Sequence, residues 1–246
     1  MKKLCDFLAM TDLFDGLNHT VYSDYCENTN VHLFWKGEFI VREGDTPYGV
    51  GIVLEGQVAK QKYSPDGDSS TLDLLQAGDT FGEDLVFAKD SSYKFNLEAV
   101  SAVKVVYVKR DDIYEMINRS PHMLTNLLAI LSKHISDQNK RIYTLSQRTL
   151  RQKISAYLLD LLEQELAAEN RTLQESLEIV STQAVELPAS KEVVSRFLAM
   201  PRPSFSRELI AMEKDGLIRV SGRVIWLTDL HGLETGAVKA GDSQSD

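Results

Sequence analysis

Cysteine is almost absent from this chain: there are two in 246 residues, Cys5 and Cys26. Two thiols cannot build a disulfide framework, a four-cysteine zinc site or a cysteine-ligated iron–sulfur cluster within one chain. Long apolar runs are missing too. The longest are stretches such as "LLAIL" at 127–131, far short of the roughly twenty residues a membrane-spanning helix needs. The amino terminus, "MKKLCDFLAM", has the lysines of a secretion signal, but Asp6 interrupts its apolar part and Asp12 and Asp15 follow. A short amphipathic helix, a cytoplasmic location and no membrane partner are expected. No GxxxxGK[ST] phosphate loop, HExxH, GxSxG or paired Cys/His spacing occurs, so the sequence nominates no catalytic residue and no metal ligand.

What is present is an ordinary globular composition, 43% hydrophobic and 26% charged, long enough for one large domain or two ordinary ones. The formal charge of -9 argues against nucleic acid until its distribution is read. Residues 121–154 carry Lys133, Lys140, Arg141, Arg148, Arg151 and Lys153 against Asp137 alone, and 187–226 carry seven basic against four acidic residues. A phosphate backbone responds to such local fields, so positive surface is expected in both stretches.

From about Val31 to Val108 short β-rich runs ("VHLFW", "YGVGIVLEG", "STLDLL", "VKVVYV") alternate with turns, and Gly44, Gly56, Gly67 and Gly78 fall 12, 11 and 11 residues apart. That spacing predicts an antiparallel roll of short strands, with "SPDG" at 64–67 as a hairpin turn. After Pro121 the pattern becomes helical. Leu124, Leu128, Leu131, Ile135, Gln138, Ile142 and Leu145 step alternately by four and three, a heptad seam interrupted once by Gln138. A parallel two-stranded coil between two copies of the chain follows from that pattern. A second helix is expected at about 149–165, then an acidic solvated connection at 167–186.

The remainder is punctuated more sharply. Ser190 caps a helix carrying Val193, Val194, Phe197 and Leu198, and "AMPR" turns the chain. In "PRPSFSRELIAMEKDGLI" the two prolines suit a turn and a first helical turn, where an N–H has no partner to lose. Phe205, Leu209 and Met212 would bury one face, leaving Pro203, Ser204, Arg207 and Ala211 outward, and Gly216 would end the helix. "LIRVSGRVIWLT" reads as a hairpin turning at Ser221-Gly222. Helix, turn, helix and hairpin make a winged helix-turn-helix, whose second helix enters the major groove of DNA.

In order and spacing, "LFDGLN", "VREGD", "LEGQV", "AGDTFGE" and "RPSFSRELIAMEKDGLI" make the chain resemble the Crp/Fnr family of bacterial transcription regulators over nearly its whole length. The resemblance implies an α+β protein: an N-terminal antiparallel β-roll of cupin-like, cyclic-nucleotide-binding-like form (1–120), a dimerisation helix (121–147), a winged helix-turn-helix domain (148–232) and a flexible tail (233–246). It also implies a homodimer on near-palindromic double-stranded DNA and contact with RNA polymerase. Arg202 and Arg207 match the family's base-reading arginines, and a bidentate arginine fork on guanine discriminates by about 1–3 kcal/mol. Pro203 stands where many relatives place a base-reading glutamate, so the operator should differ there. Ser204 and Ser206 are candidate DNA contacts, and Lys191, Arg219 and Arg223 candidate phosphate contacts.

The effector-pocket candidates are Phe81, Gly82, Glu83, Tyr93 and Lys94. Cyclic-nucleotide binders of the family follow "FGE" with an arginine for the cyclic phosphate, and here the matching triplet is "YKF", residues 93–95. Cyclic AMP is therefore not the expected effector. No cofactor is predicted, and the effector is left unnamed. The competing reading is a cyclic-nucleotide-responsive sensor module that acts through a protein partner.

Overall fold

Short strands paired antiparallel build most of the first of two compact units, which divide at Asp137/Gln138. The computed structural model describes residues 2–63, 69–169, 171–174 and 182–236. The expected turn at 64–67 and the tail beyond 236 lie outside the described residues, as does part of the 167–186 connection.

The first unit holds eight described strands: β1 (His32–Phe34), β2 (Phe39–Val41), β3 (Val50–Glu55), β4 (Val58–Tyr63), β5 (Ser69–Leu75), β6 (Thr80–Phe81), β7 (Asn96–Ala99) and β8 (Val103–Val108). They form two four-stranded sheets, ordered β1-β8-β3-β6 and β2-β7-β4-β5. Val53, Val58, Leu97, Val103 and Val105 are fully buried in the roll's core. Each sheet is assembled from strands distant in sequence, which is why β2, β6 and β7, too short for a period-two signal, escape a reading of local pattern.

A second core in the same unit lies under the helices α1 (Lys2–Leu8), α2 (His19–Asn28), α3 (Glu83–Val86) and α4 (Arg110–Arg119). The expected N-terminal helix is α1. In α2, Asn18 is the cap, its Oδ1 accepting from the Thr20 amide at 3.0 Å. In α4, Ile113 and Met116 are buried at three-residue spacing. The long helix α5 (His122–Ser146) follows. Met123, Leu127 and Ile130 are buried within this unit, while Leu124, Leu128, Ile135 and Ile142 on the heptad seam are 42%, 55%, 63% and 66% exposed. Leu131 and Leu145 are half-buried and Gln138 is exposed. The helix thus has two apolar lines, and the seam is the uncovered one.

The second unit contains α6 (Leu150–Ala168), β9 (Gln183–Glu186), α7 (Lys191–Phe197), α8 (Arg202–Lys214), β10 (Ile218–Ser221), β11 (Val224–Leu227) and α9 (Leu230–Gly236). Thr149 and Gln152 close a capping box on α6: the Thr149 hydroxyl accepts from the Gln152 amide and the Gln152 side chain accepts from the Thr149 amide, both at 3.1 Å. Ile154, Leu158, Leu162, Phe205, Leu209, Met212, Ile225 and Leu233 share one core.

Four expectations change here. The acidic connection contains β9, which pairs with β11 from Gln183↔Leu227 to Glu186↔Val224, so the wing is a three-stranded sheet. The hairpin pairs Ser221 with Val224, so its two-residue turn is Gly222-Arg223, one position later than read, with Gly222 at φ +63°. Leu233, assigned to a tail, is fully buried in a helix running to Gly236, because the sheet and α6 leave an apolar face that α9 covers. Finally, much of the positive charge of 121–154 is engaged internally. Arg151 pairs with Glu208 at 2.7 Å and Asp215 at 2.6 Å, Lys140 with Asp160 and Glu163 at 3.0 Å, and Lys133 with Asp12 at 3.2 Å.

Candidate nucleic-acid interface and effector pocket

α7 and α8 are joined by a turn in which Ala199 takes φ +50°, a left-handed conformation that favours glycine. The Met200 amide donates to the Ser195 carbonyl at 3.0 Å and the Ala199 amide to Arg196 at 3.1 Å, which satisfies the end of α7. Ser190 caps its start, and Lys191 is its first residue, half-buried. Pro201 is then the cap of α8, Arg202 its first residue and Pro203 its second, so both prolines occupy positions whose N–H would be unpaired. α8 ends after Lys214, where the Leu217 amide donates to Met212 and the Gly216 amide to Glu213.

The inward line of α8 is Phe205, Leu209 and Met212, as expected. Arg202, Pro203 and Arg207 are exposed, whereas Ser204, Ser206 and Ala211 are half-buried. Arg207 has one neighbour on its own helix, the Ser204 hydroxyl at 3.4 Å, and is otherwise turned to solvent. Arg202 lies 3.5 Å from Glu192, a carboxylate that also accepts from Arg196 at 2.8 Å. Glu208, one residue past Arg207, faces the other way and is held by Arg151. On the wing, Arg219 is exposed and Arg223, at the hairpin tip, is paired with Glu186. Sequence reasoning missed Ile210. It is 66% exposed beside Arg207 and lies outside the unit's core, so α8 presents Pro203, Arg207, Ile210 and Lys214 along one stripe at four- and three-residue spacing. Ile210 directly follows buried Leu209, and the pattern of apolar residues alone does not separate the two.

The effector-pocket candidates have a different fate. Phe81 on β6 lays its ring over Gly51, where a Cβ would sit 2.0 Å from the ring carbon Cζ. Gly82 caps α3 at φ +81°, and an added Cβ would meet the Tyr93 hydroxyl at 2.5 Å. Tyr93 is 2% exposed and packs edge-on against Phe95 with ring centres 5.5 Å apart, while Phe81 does the same with Tyr107 at 5.8 Å. Burial holds the Tyr93 phenol well above its ordinary pKa, and its hydroxyl has no hydrogen-bond partner among the described residues. Glu83 is buried at the first position of α3, where a carboxylate meets the positive end of the helix. Lys94 is exposed on a loop, paired with Asp90 at 3.1 Å. Phe81, Gly82, Glu83 and Tyr93 therefore come together, and aromatic side chains fill the space between them. A separate cavity of about 330 Å³ lies between α2, α4 and the rings of His32, Tyr48 and Tyr107. The sequence held no signal for it, since its lining comes from three stretches far apart in the chain, 21–32, Tyr48 and 107–119.

Comparison with known proteins bears on both units. Residues 31–120 match the family of cyclic nucleotide-binding domains, and residues 152–235 match the Crp-like helix-turn-helix domain. The nitrogen fixation regulation protein FixK of Bradyrhizobium diazoefficiens is 24% identical over 196 residues, covering 80% of this chain and 77% of FixK. The transcriptional regulator LdrP of Thermus thermophilus is 28% identical over 207 residues, covering 84% and 96%. The structure of FixK2 from Bradyrhizobium japonicum superposes with a TM-score of 0.65 at 20% identity, over 84% of this chain and 96% of that one. With a cyclic-nucleotide-binding-like roll, a long helix and a winged helix-turn-helix in that order, this chain belongs to the Crp/Fnr family of transcription regulators.

Proposed function

We propose that this regulator acts in the cytoplasm as a homodimer that reads a near-palindromic operator through α8, with RNA polymerase as a further partner. In this reading residues 1–120 sense, 121–147 join the two copies and 148–236 bind DNA. The single observation that carries it is the outward stripe of α8, where Arg207 has no carboxylate partner among the described residues and stands between Pro203 and Ile210. A guanidinium left open beside a proline and an isoleucine suits a groove floor, where its fork meets guanine and apolar carbons meet thymine methyl groups. Arg202, Ser204 and Ser206 flank that stripe, with Lys191, Arg219 and Arg223 as backbone contacts. Pro203 offers no hydrogen bond, so operator specificity at its base pair rests on shape. The exposed seam of α5 supports the dimer, since five of its seven residues are apolar side chains or their polar register-setter left in solvent by a single copy.

The effector of this protein is not cyclic AMP in this reading. Phe81, Tyr93, Phe95 and Tyr107 pack together beside Gly82 and Glu83, and the triplet matching the family's arginine-led one is Tyr93, Lys94 and Phe95, which supports that reading. Selection of bound DNA from genomic fragments, with and without added metabolites, tests the proposal. Enrichment of a palindromic sequence with salt-sensitive affinity is the expected result, and absence of any sequence preference sinks it. Calorimetry with cyclic AMP separates the alternative, because tight binding of the nucleotide by a protein that ignores DNA is the signature of a sensor acting through a protein partner.

A further inference from the structure

The first half of α5 is held to its unit along one line of its surface. Met123, Leu127 and Ile130 are buried at spacings of four and three, and His134 is the next residue on that line. Every residue from Ile135 to Lys140 is exposed. His134 is therefore the last rung of this buried line, and the one polar rung on it. Its Nδ1 lies 2.6 Å from Oε1 of Glu83, whose side chain is 5% exposed. The other carboxylate oxygen, Oε2, is buried and accepts no hydrogen bond from the described residues. An ionised carboxylate buried with one partner depends on that partner's charge. It faces a cation when the imidazole is protonated and only a neutral N–H when it is not.

The groups around the pair favour the charged ring. Asp79 before β6, Asp73 on β5 and Asp84 on α3 add negative potential; Lys133 on α5, paired with Asp12 at 3.2 Å and near Asp137, and Lys60 on β4 offset part of it. The hydrogen bond to Glu83 raises the pKa of His134 above the ordinary imidazole value, although burial opposes it.

We propose that Glu83 and His134 form a proton-operated clasp, which closes the middle of α5 onto the β-roll when the imidazole is charged and frees that rung when it is neutral. The ligand of this site is a proton, in a position where the rest of the pocket is packed with aromatic rings. Because the pKa of His134 is raised in the folded protein, the clasp contributes fully below the unfolded value of about 6.5 and is lost as pH rises through the folded value. Its bearing on DNA rests on the regulator reading above.

Three measurements on the full chain test the clasp. In NMR titration of the five histidines, the signal lost in His134→Gln identifies the ring. It should titrate above the ordinary value in the wild type and fall towards it in Glu83→Gln. In thermal unfolding, the wild type should exceed His134→Gln by about 2–4 °C at pH 6, the shift that roughly 1 kcal/mol produces at this size, and match it at pH 9. In DNA binding, the wild-type affinity for a selected fragment should change severalfold between pH 6 and pH 9 relative to His134→Gln. An imidazole titrating at or below its ordinary value overturns the proposal. So does a thermal gap that is the same at both pH values, which marks packing alone, or DNA affinities whose pH profiles coincide. If neither protein binds DNA at any pH while titration and unfolding behave as expected, the regulator reading falls and the clasp stands.

Discussion

Phe81 and Arg207 were nominated by the sequence with equal directness, and the fold treats them in opposite ways. Phe81 is 4% exposed with its ring against the backbone of Gly51, inside a pocket that its neighbours have filled. Arg207 is turned to solvent, with the Ser204 hydroxyl on its own helix 3.4 Å away and no carboxylate partner among the described residues. In the roll the left-handed Gly82 is followed by a buried glutamate, and aromatic side chains pack beside them. On the winged helix the carboxylates next to α8 are engaged with other cations, Glu208 and Asp215 with Arg151 and Glu192 with Arg196 and Arg202, and Arg207 is left open. In the proposed reading the difference is that between a guanidinium with no carboxylate partner among the described residues and a pocket closed by aromatic rings.

The strongest way to break this comparison is to empty the roll. Phe81→Ala should destabilise the protein by about 3–5 kcal/mol in denaturant unfolding, the usual result of truncating a buried aromatic ring. A cost under 1 kcal/mol with new cyclic-nucleotide affinity would mean that the pocket is a binding site with mobile walls. Next in size, Arg207→Ala should weaken operator binding by about 1–3 kcal/mol while sparing non-specific DNA, measured by competition. Lys191→Ala should instead weaken all DNA alike and lower the salt slope by about 1. Equal losses in both variants would remove the distinction between a base reader and a phosphate contact. Smallest, Ala199→Gly relieves a left-handed residue in the turn before α8. It should stabilise the second unit by about 1 kcal/mol in thermal unfolding.

What could be read beforehand depended on how local its cause was. The cap at Ser190, the prolines at the start of α8 and the inward line Phe205, Leu209 and Met212 are matters of spacing and backbone chemistry within a turn or two, and the structure contains them. The hairpin was visible, but its turn slipped by one residue because Ser221 and Gly222 both suit turns and only the register with β9 decides between them. β9 itself has four residues and no partner nearby in sequence, so nothing local marks it as a strand. The positive charge of 121–154 is plain in the sequence but its internal pairing is not, because ion pairs such as Arg151 with Glu208 join residues 57 apart.

The sequence alone determined the order of domains, the heptad seam of α5 and the face of α8 that carries Arg207. These follow from side-chain periodicity and from the backbone limits of proline and glycine, which act over a few residues. Only the tertiary structure decided that Tyr93 closes the pocket behind Gly82, that α9 belongs to the second core and that His134 meets Glu83. Each of those contacts joins residues eleven or more positions apart, and burial, which sets the energy of every one of them, is a property of the folded chain.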